Sequence, residues 1–519
     1  MKIVTSQEMR DIENEAFKQG VSQHVLMENA GLEIARKIRR LLGNLAPNHI
    51  LILVGSGNNG SDGLIAAKYL KMWGAGVTVY LCSKRKDSYS NMTTLQNLGV
   101  QIISSLNDSQ LSALKFAIST SSVLVDGVMG TGLARQIQGN MLPIFELIRK
   151  TNKQTLYRIS IDIPSGLNSD TGNADNLSVK SDLTLTLGYP KLGLYLNQGP
   201  TLTDKVEILG IGIPKNIIPK SKINLTTMSW AKNVIPNRPK NAHKGTFGKT
   251  LIIGGSEFYT GAPYLSAMAA ARSGVGLVTL AVKRDIQDSV SSLTPIPTYL
   301  PLSDFSNETS RTNDIKMILN KIIQYKSILI GPGFGTALET QMFLQELLEK
   351  KLNLPPTIFD ADAINMLNEN DKKTWWSNLP PESILTPHLA EFSRLTNLSI
   401  DKINSDKINI ASNIAIESKT VMILKGPNTI VATPTGTIFI SPFANPSLAT
   451  AGTGDVLAGI IAGFLAQGLS SESASILAVF VHGQAGQYVN CQYGDQGALA
   501  SDLLEYIPKA INYIRNQNS

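Results

Sequence analysis

The sequence predicts an α/β protein of two doubly wound domains, and three observations lead there. Short β-branched runs alternate with longer stretches of helical period, a pattern that implies parallel strands joined by helical crossovers. The chain has 519 residues, 43% hydrophobic and 17% charged, too long for one hydrophobic core and ordinary for a folded protein. Between Pro214 and Gly248 the periodicity fades, and prolines recur at 214, 219, 236 and 239 among Lys and Asn, the composition of a junction. Domains are expected over residues 1–220 and 226–519.

In the first half, strands are expected at HILILVG, VTVYL, VQIIS, SVLVDG, YRISID, DLTLTLGY and KVEILGIG, with helices between them at DGLIAAKYLKMW and MLPIFELIRK. Two further helices precede the first strand, the first opening with a Thr5–Glu8 capping-box pattern. After the junction a second series begins with KTLIIGG, GLVTLAV, SILIGPG, PTIFDADA, SILTP and TVMILKG, followed by the hairpin TIVATPTGTIFIS. No internal repeat or low-complexity tract interrupts this pattern.

The formal charge is +7, but the basic residues are scattered and the longest cluster is Lys84-Arg85-Lys86, so no nucleic acid is expected and the excess reads as a mild attraction for anionic small molecules. Cys82 and Cys491 stand far apart without a partner pattern, which excludes a disulfide framework or a cysteine-based zinc site and fits a reducing cytoplasm. The N-terminus meets acids at once and shows no signal-peptide pattern. The apolar runs fall short of the ~20 residues that span a bilayer. A cytoplasmic protein without a membrane association is expected.

In open α/β sheets, ligands sit beyond the carboxyl ends of the strands. In the second half those positions are repeatedly glycine-rich or acidic: GGS, GPGFG, DAD, TPH and KGPNT. Ala451-Gly452-Thr453-Gly454 would present main-chain N–H groups at a helix N-terminus, where the dipole favours phosphate. Asp455, in the first turn, could take the proton of a hydroxyl attacking phosphorus; alone it would read as a helix cap. Lys425 to Thr429 forms a second turn of exposed amides suited to a nucleotide. In LTPHLAEF, Thr386 is expected to cap and Pro387 to open a helix with His388 and Glu391 on one face. Glu391 there could help organise Mg²⁺ through water, and Asp360 and Asp362 could be strand-end acids only.

The set HKGTFGKTLIIGGS, GPGFG, FDADAIN, LTPHLAEF, ILKGP and NPSLATAGTGDVLAGIIAG resembles the dehydratase domain of the NAD(P)H-hydrate repair family. The resemblance implies a ribokinase-like α/β fold and, as substrate, the S form of hydrated NADH or NADPH (NADHX, NADPHX). A nucleotide would phosphorylate the ring hydroxyl, and elimination of phosphate would restore the dihydropyridine. By motif position, Ala262, Gly335, His388 and Asp455 would touch the hydrated dinucleotide. Lys425, Gly426, Pro427, Asn428, Thr429 and Gly454 would hold the nucleotide. The fused architecture implies ADP as donor, giving AMP and phosphate, with ATP the alternative. The family also implies a homo-oligomer, a homotetramer.

In the first half, Gly55, Gly57 and Gly60 of GSGNNGSDG satisfy a dinucleotide fingerprint by spacing, but VTVYLCSK lacks the acid a Rossmann NAD site requires. Asn59, Asp126 and Ser165 each follow a strand and carry oxygen ligands, so a hard cation is expected. Asp162, at a strand end, could act as acid or base. GNNGSDGLIAAKYL, VDGVMGTGLAR and IDIPSGLNSDTG are similar to the epimerase domain of the same repair system, with a Rossmann-like doubly wound fold. That similarity implies K⁺ on Asn59, Asp126 and Ser165. Substrate contacts would come from Asn58, Asn59, Gly60, Ser61 and Asp62, from Gly130, Thr131, Gly132, Leu133, Ala134, Arg135 and Gln136, and from Asp162 as the proton-transfer residue. The family loop usually carries glycine where this chain has Ser61. The expected protein therefore epimerises R- and S-NAD(P)HX and dehydrates the S form; the rival is a ribokinase-like small-molecule kinase with a noncatalytic N-terminal binding module.

Overall fold

The computed structural model describes residues 1–85, 89–131, 136–151, 156–367 and 375–517. The chain divides into two compact units, Lys2–Ser221 and Lys222–Ser519 together with Met1.

In the first unit the strands are β1 (His49–Val54), β2 (Gly76–Leu81), β3 (Gln101–Ser104), β4 (Val123–Gly127), β5 (Tyr157–Ile161), β6 (Leu183–Leu187) and β7 (Val206–Leu209). They form a parallel sheet ordered β3-β2-β1-β4-β5-β6-β7, and all seven coincide with expected runs. Ile50, Ile52, Val54, Val125, Ile159 and Leu185 are buried on one face and Leu51, Leu53 and Leu124 on the other, which explains why these strands read as continuous apolar runs rather than alternating ones. The first helix is Ser6–Lys18, and its cap is the expected one: the Thr5 side chain accepts from the Glu8 N–H and the Glu8 carboxylate accepts from the Thr5 N–H.

The second unit holds β8 (Ile223–Leu225), β9 (Lys249–Ile253), β10 (Leu277–Lys283), β11 (Thr298–Leu302), β12 (Ser327–Ile330), β13 (Thr357–Phe359), β14 (Ile384–Leu385), β15 (Val421–Leu424), β16 (Ile430–Ala432) and β17 (Ile438–Ile440). Their order is β11-β10-β9-β12-β13-β14-β15-β16-β17-β8; β15, β16 and β17 run antiparallel as a meander. Two of these strands, β8 and β11, lie outside the expected runs. The stretch read as a featureless junction also contains the Met228–Val234 helix, capped by the Thr227 hydroxyl.

The Thr453–Ala466 helix lies inside this unit, and residues Val456 to Ala466 are all buried. It packs closely on the Gly261–Ser273 helix. A Cβ at Gly459 would stand 2.2 Å from the Ser266 carbonyl oxygen, and one at Gly463 would stand 1.9 Å from Ser273 Oγ. The helix is apolar on nearly every side because it has no solvent face.

Both sheets change direction once, between β1 and β4 and between β9 and β12, and ligand crevices in such sheets open at that reversal. Among the described residues no helix is long and apolar enough to cross a membrane.

Candidate active sites

The crevice of the second unit is assembled from the loops after β9, β12, β13, β14 and β15 and from the first turn of the Thr453–Ala466 helix. Gly333 packs on Ala262, where an added Cβ would meet the Ala262 Cβ at 3.0 Å. The Gly335 N–H donates to Asp362 Oδ2 at 2.9 Å. Asp360 is buried and accepts from Thr386 Oγ1 at 2.6 Å and from Lys425 Nζ at 2.9 Å. Lys425 Nζ also stands 3.9 Å from Glu391 Oε2. Lys425 is therefore the cation that sequence position alone did not place beside Asp455: it reaches the acids from the end of β15, and a Cβ at Gly454 would lie 3.3 Å from its Nζ.

One lysine does not offset all these acids. Burial raises the Asp455 carboxyl, the charges of Asp360, Asp362 and Glu391 raise it further, and Lys425 pulls it back, leaving it at about 7. A carboxylate at that value can take a proton near neutral pH far better than an ordinary aspartate. The main chain around it is fixed: Gly452 caps the helix at φ +91°, the Ser266 hydroxyl donates to the Asp455 carbonyl at 3.0 Å, and His482 Nε2 lies 3.0 Å from the Thr453 carbonyl. That carbonyl can only accept, so the ring nitrogen donates. Burial pushes His482 down to about 4, which keeps the ring neutral.

Two local expectations need correction. The helix after LTP is Leu389–Thr396, capped by His388 and not by Thr386. His388 Nδ1 accepts from the Ala390 and Glu391 N–H groups, and Glu391 Oε2 accepts from the His388 N–H at 2.8 Å. Thr386 is spent on Asp360 instead, and Pro387 precedes the cap. The second correction concerns the turn Lys425 to Thr429. The Lys425 and Asn428 N–H groups donate to the Pro387 and Phe443 carbonyls and proline has none, so the turn offers a ligand the Gly426 and Thr429 amides at most. Asn428 adopts φ +50° and its Nδ2 donates to the Ser441 carbonyl, which locks the turn.

The crevice of the first unit is a cavity of about 520 Å³ whose lining includes Asn58, Asn59, Asp62, Gly130, Asp162 and Lys191. The N-terminus of the Asn58–Met72 helix opens into it. Glycine is required at two places in the preceding loop by close approach: a Cβ at Gly55 would sit 1.9 Å from the Val128 carbonyl oxygen, and one at Gly60 would sit 2.2 Å from the Gly55 carbonyl oxygen. Arg85 spans this loop, donating to the carbonyls of Gly55 and Gly57 and to Ser61 Oγ at 2.7 Å.

Asp126 Oδ1 accepts from Ser165 Oγ at 2.6 Å and from the Val128 N–H at 3.1 Å, and its Oδ2 accepts from the Ser165 N–H at 2.9 Å. Asn59 Nδ2 donates to the carbonyls of Met129 and Ile161, which leaves Asn59 Oδ1 as the acceptor side of that amide. Burial pushes the Asp126 carboxyl up while the Ser165 and Val128 hydrogen bonds pull it down, and no lysine or arginine enters that balance. Asp162, by contrast, is held by Lys191. The Nζ–Oδ1 distance is 2.5 Å and the lysine side chain is 1% exposed; Leu187 N–H and Thr186 Oγ1 also donate to Asp162. Asp162 sits at φ +66°, a left-handed conformation that Asp tolerates better than most residues.

Residues 250–509 match the family model described as NAD(P)H-hydrate dehydratase, and residues 23–193 match the model of the YjeF-related protein N-terminus. The bifunctional NAD(P)H-hydrate repair enzyme Nnr of Moorella thermoacetica is 34% identical over 525 residues, covering 100% of this chain and 98% of its own. The enzyme of the same name from Dictyoglomus turgidum is 35% identical, covering 100% of both chains. The chain belongs to the bifunctional NAD(P)H-hydrate repair family. A ribokinase-like superfamily protein from Enterococcus faecalis V583 is similar in structure, with a TM-score of 0.50 and 27% identity, covering 58% of this chain and 99% of its own. The kinase rival gains no support from these matches.

Of the residues singled out in the repair-family motifs, the structure hydrogen-bonds Asp126 to Ser165, connects Asn59 to Ser165 through the Met129 main chain, and places Asn58, Asn59, Asp62, Gly130, Thr131, Gln136 and Asp162 along one cavity. Gly132, Leu133, Ala134 and Arg135 lie outside the described residues. In the second crevice Lys425 links Asp360, Glu391 with its His388 cap, and the Gly454–Asp455 turn, while Gly335 is tied to Asp362 and Ala262 touches Gly333. Sequence reasoning did not find Lys191, Glu13, Arg85 or His482. Lys191 and Asp162 are 29 residues apart, and only the pairing of β5 with β6 brings their segments together.

Proposed function

We propose that the second unit of this NAD(P)H-hydrate repair enzyme dehydrates the S form of NAD(P)HX with ADP, and that the first converts R to S. The observation that carries the dehydratase reading is Asp455: a carboxyl held near 7 beside main-chain N–H groups at a helix N-terminus. Its carboxylate takes the proton of the ring hydroxyl. The freed oxygen pair forms the bond to the terminal phosphorus of ADP, and AMP departs with the electrons of the broken P–O bond. The C–O bond then breaks with its pair on phosphate, the ring nitrogen supplies electrons, and loss of a proton from the neighbouring carbon restores the dihydropyridine.

The Ala451, Gly452 and Gly454 amides steady the migrating phosphate, the Thr453 N–H being donated to the Thr450 carbonyl, and Lys425 offsets part of the acidic charge around it. The Lys425–Thr429 turn and Gly454 hold the nucleotide, while Ala262, Gly335 and His388 position the dinucleotide. ADP as donor follows from the resemblance of the fused architecture to the repair family. Mg²⁺ would arrive on the nucleotide phosphates and neutralise their charge. Glu391 is committed to the helix cap and, among the described residues, no three His, Cys, Asp or Glu side chains cluster for a metal, so the fit is an outer-shell one through water.

In the first unit, Asp162 transfers the proton and Asn58–Asp62, Gly130–Gln136 and Asp162 contact substrate. K⁺ fits Asn59, Asp126 and Ser165, because a buried carboxylate offset by no basic side chain is what a bound cation would compensate. Its chemistry would be electrostatic, fixing the loops that follow β1, β4 and β5. We place the protein in the cytoplasm as a homo-oligomer, a homotetramer by resemblance. The deciding experiment supplies purified S-NADHX and ADP and follows recovery of NADH absorbance together with AMP. A stable phosphorylated product without NADH would overturn the reading.

A further inference from the structure

Resting on the epimerase reading of the first unit, we propose that Asp62 is the general acid and Asp162 the general base of epimerisation, the two acting on the oxygen and the nitrogen of one hemiaminal carbon. Among the described residues, Asp62 Oδ1 is a buried carboxyl oxygen without a hydrogen-bond partner. The residue is 6% exposed yet lines the cavity together with Asp162. An unpartnered buried carboxylate is costly, whereas the neutral acid tolerates burial and keeps a proton to give. Asp162 is in the opposite condition, held by buried Lys191 and by the Leu187 N–H.

The groups facing Asp62 agree with this division. Glu13 and Arg10 come from the Ser6–Lys18 helix, Asp162 from the end of β5, and Lys191 from the segment after β6. Burial first, then the charges of Asp162 and Glu13, raise the Asp62 carboxyl well above the usual range, against the pull of Lys191. Both carboxyls line one cavity, and the charge of Asp162 acts on Asp62 across it.

Two carboxyls in one cavity suit one chemistry better than another. Hydration of the nicotinamide ring leaves the hydroxyl on the carbon bonded to ring nitrogen. Exchange of that hydroxyl through free water would need an acid on one face and a base on the other. Opening of the ring needs both on the same side, since the oxygen and nitrogen share a carbon. Asp162 takes the hydroxyl proton, the O–H electron pair becomes the second C=O bond, and the C–N pair goes to nitrogen, which takes the Asp62 proton. Rotation about the adjacent C–C bond presents the other face of the aldehyde. The reverse steps then close the ring: the nitrogen returns its proton to Asp62 and Asp162 gives its proton to the new hydroxyl, so both carboxyls regain their starting states and no water or cofactor is consumed.

The test uses the full chain, Asp62→Asn and purified R-NADHX, with chiral separation of R and S. Conversion should fall by about a hundredfold or more, while dehydration of S by the same preparation stays at the parental rate. In the parental chain, epimerisation should decline as pH rises through the raised value of Asp62, and an aldehyde trap such as methoxyamine should capture open-ring substrate during turnover. Parental conversion that does not exceed the spontaneous rate would remove the epimerase reading itself. Parental acceleration that Asp62→Asn retains would remove only the acid. If Asp62→Asn fails to fold, parental turnover that holds level to high pH and yields no trapped aldehyde overturns the inference by itself.

Discussion

The two crevices each place an aspartate at the carboxyl ends of parallel strands, but they neutralise it in opposite ways. Asp162 has a buried lysine of its own at 2.5 Å and two further donors. Asp455 has acids around it, and its nearest cation is committed to Asp360 at 2.9 Å. The first arrangement fixes a charge in place and leaves the neighbouring acid, Asp62, to hold a proton. The second lifts the working carboxyl itself into the neutral range. The same residue type is thus prepared as a held anion in one unit and as a titrating base in the other, and the difference lies wholly in partners brought from elsewhere in the chain.

Removing the titrating base should have the largest effect. Asp455→Asn keeps size and polarity but not basicity, so dehydration of S-NADHX with ADP should fall by about 10² to 10⁴, with R-to-S conversion unchanged. Parallel assays on one preparation check this. Equal loss of both activities would show that the two aspartates are not independent. Asp162→Asn should invert the result, abolishing most of the epimerisation and sparing dehydration. It should also destabilise the chain by about 3 kcal/mol, because Lys191 is then buried without its anion. Denaturant unfolding reads that cost, and the double variant Asp162→Asn with Lys191→Met should recover most of the stability and none of the epimerisation.

The pH responses sharpen the contrast without any substitution. Asp455 works as a carboxylate, so with a value raised to about 7 dehydration should be slow below pH 6, climb through 7 and level above it. The sign follows from the base: protonation removes the acceptor. Initial rates from pure S-NADHX across that range test it, and a rate independent of pH between 6 and 8 would contradict the electrostatic account of the acidic cluster.

Much of this was legible in the sequence, for a physical reason. A strand buried on both faces must be apolar throughout, so the internal strands stand out as runs and the residues just past them can be read as a crevice wall. The strands that escaped are the two edges of the larger sheet. β11 is TYLPL, with Pro301 inside it, and β8 has only three residues; edge strands tolerate proline and brevity because one side has no ladder to complete. The partners of the aspartates escaped for a different reason. Lys425 and Asp360 are 65 residues apart, and no local pattern announces an ion pair that only sheet order creates. His388 as a cap was likewise hidden behind Thr386 and Pro387, which read as the better start until Asp360 claimed the threonine.

The smallest expected effect concerns Ser61, where the family resemblance leads one to expect glycine. Its hydroxyl accepts from Arg85 Nη2 at 2.7 Å, and the same guanidinium also donates to the carbonyls of Gly55 and Gly57. Arg85 is thereby held across the loop whose helix N-terminus opens into the cavity, where its charge would attract an anionic dinucleotide. Ser61→Gly removes one of three acceptors and leaves the other two, a loss of about 1 kcal/mol in the placement of that charge. Epimerisation should therefore show a KM for R-NADHX raised about fivefold, with kcat, and the behaviour of Asp62 and Asp162, unchanged. A KM that falls instead would mean that the hydroxymethyl group crowds the substrate and that Arg85 is placed by the main chain alone, which would move the control of charge in this crevice from the side chain at 61 to the fold of the loop.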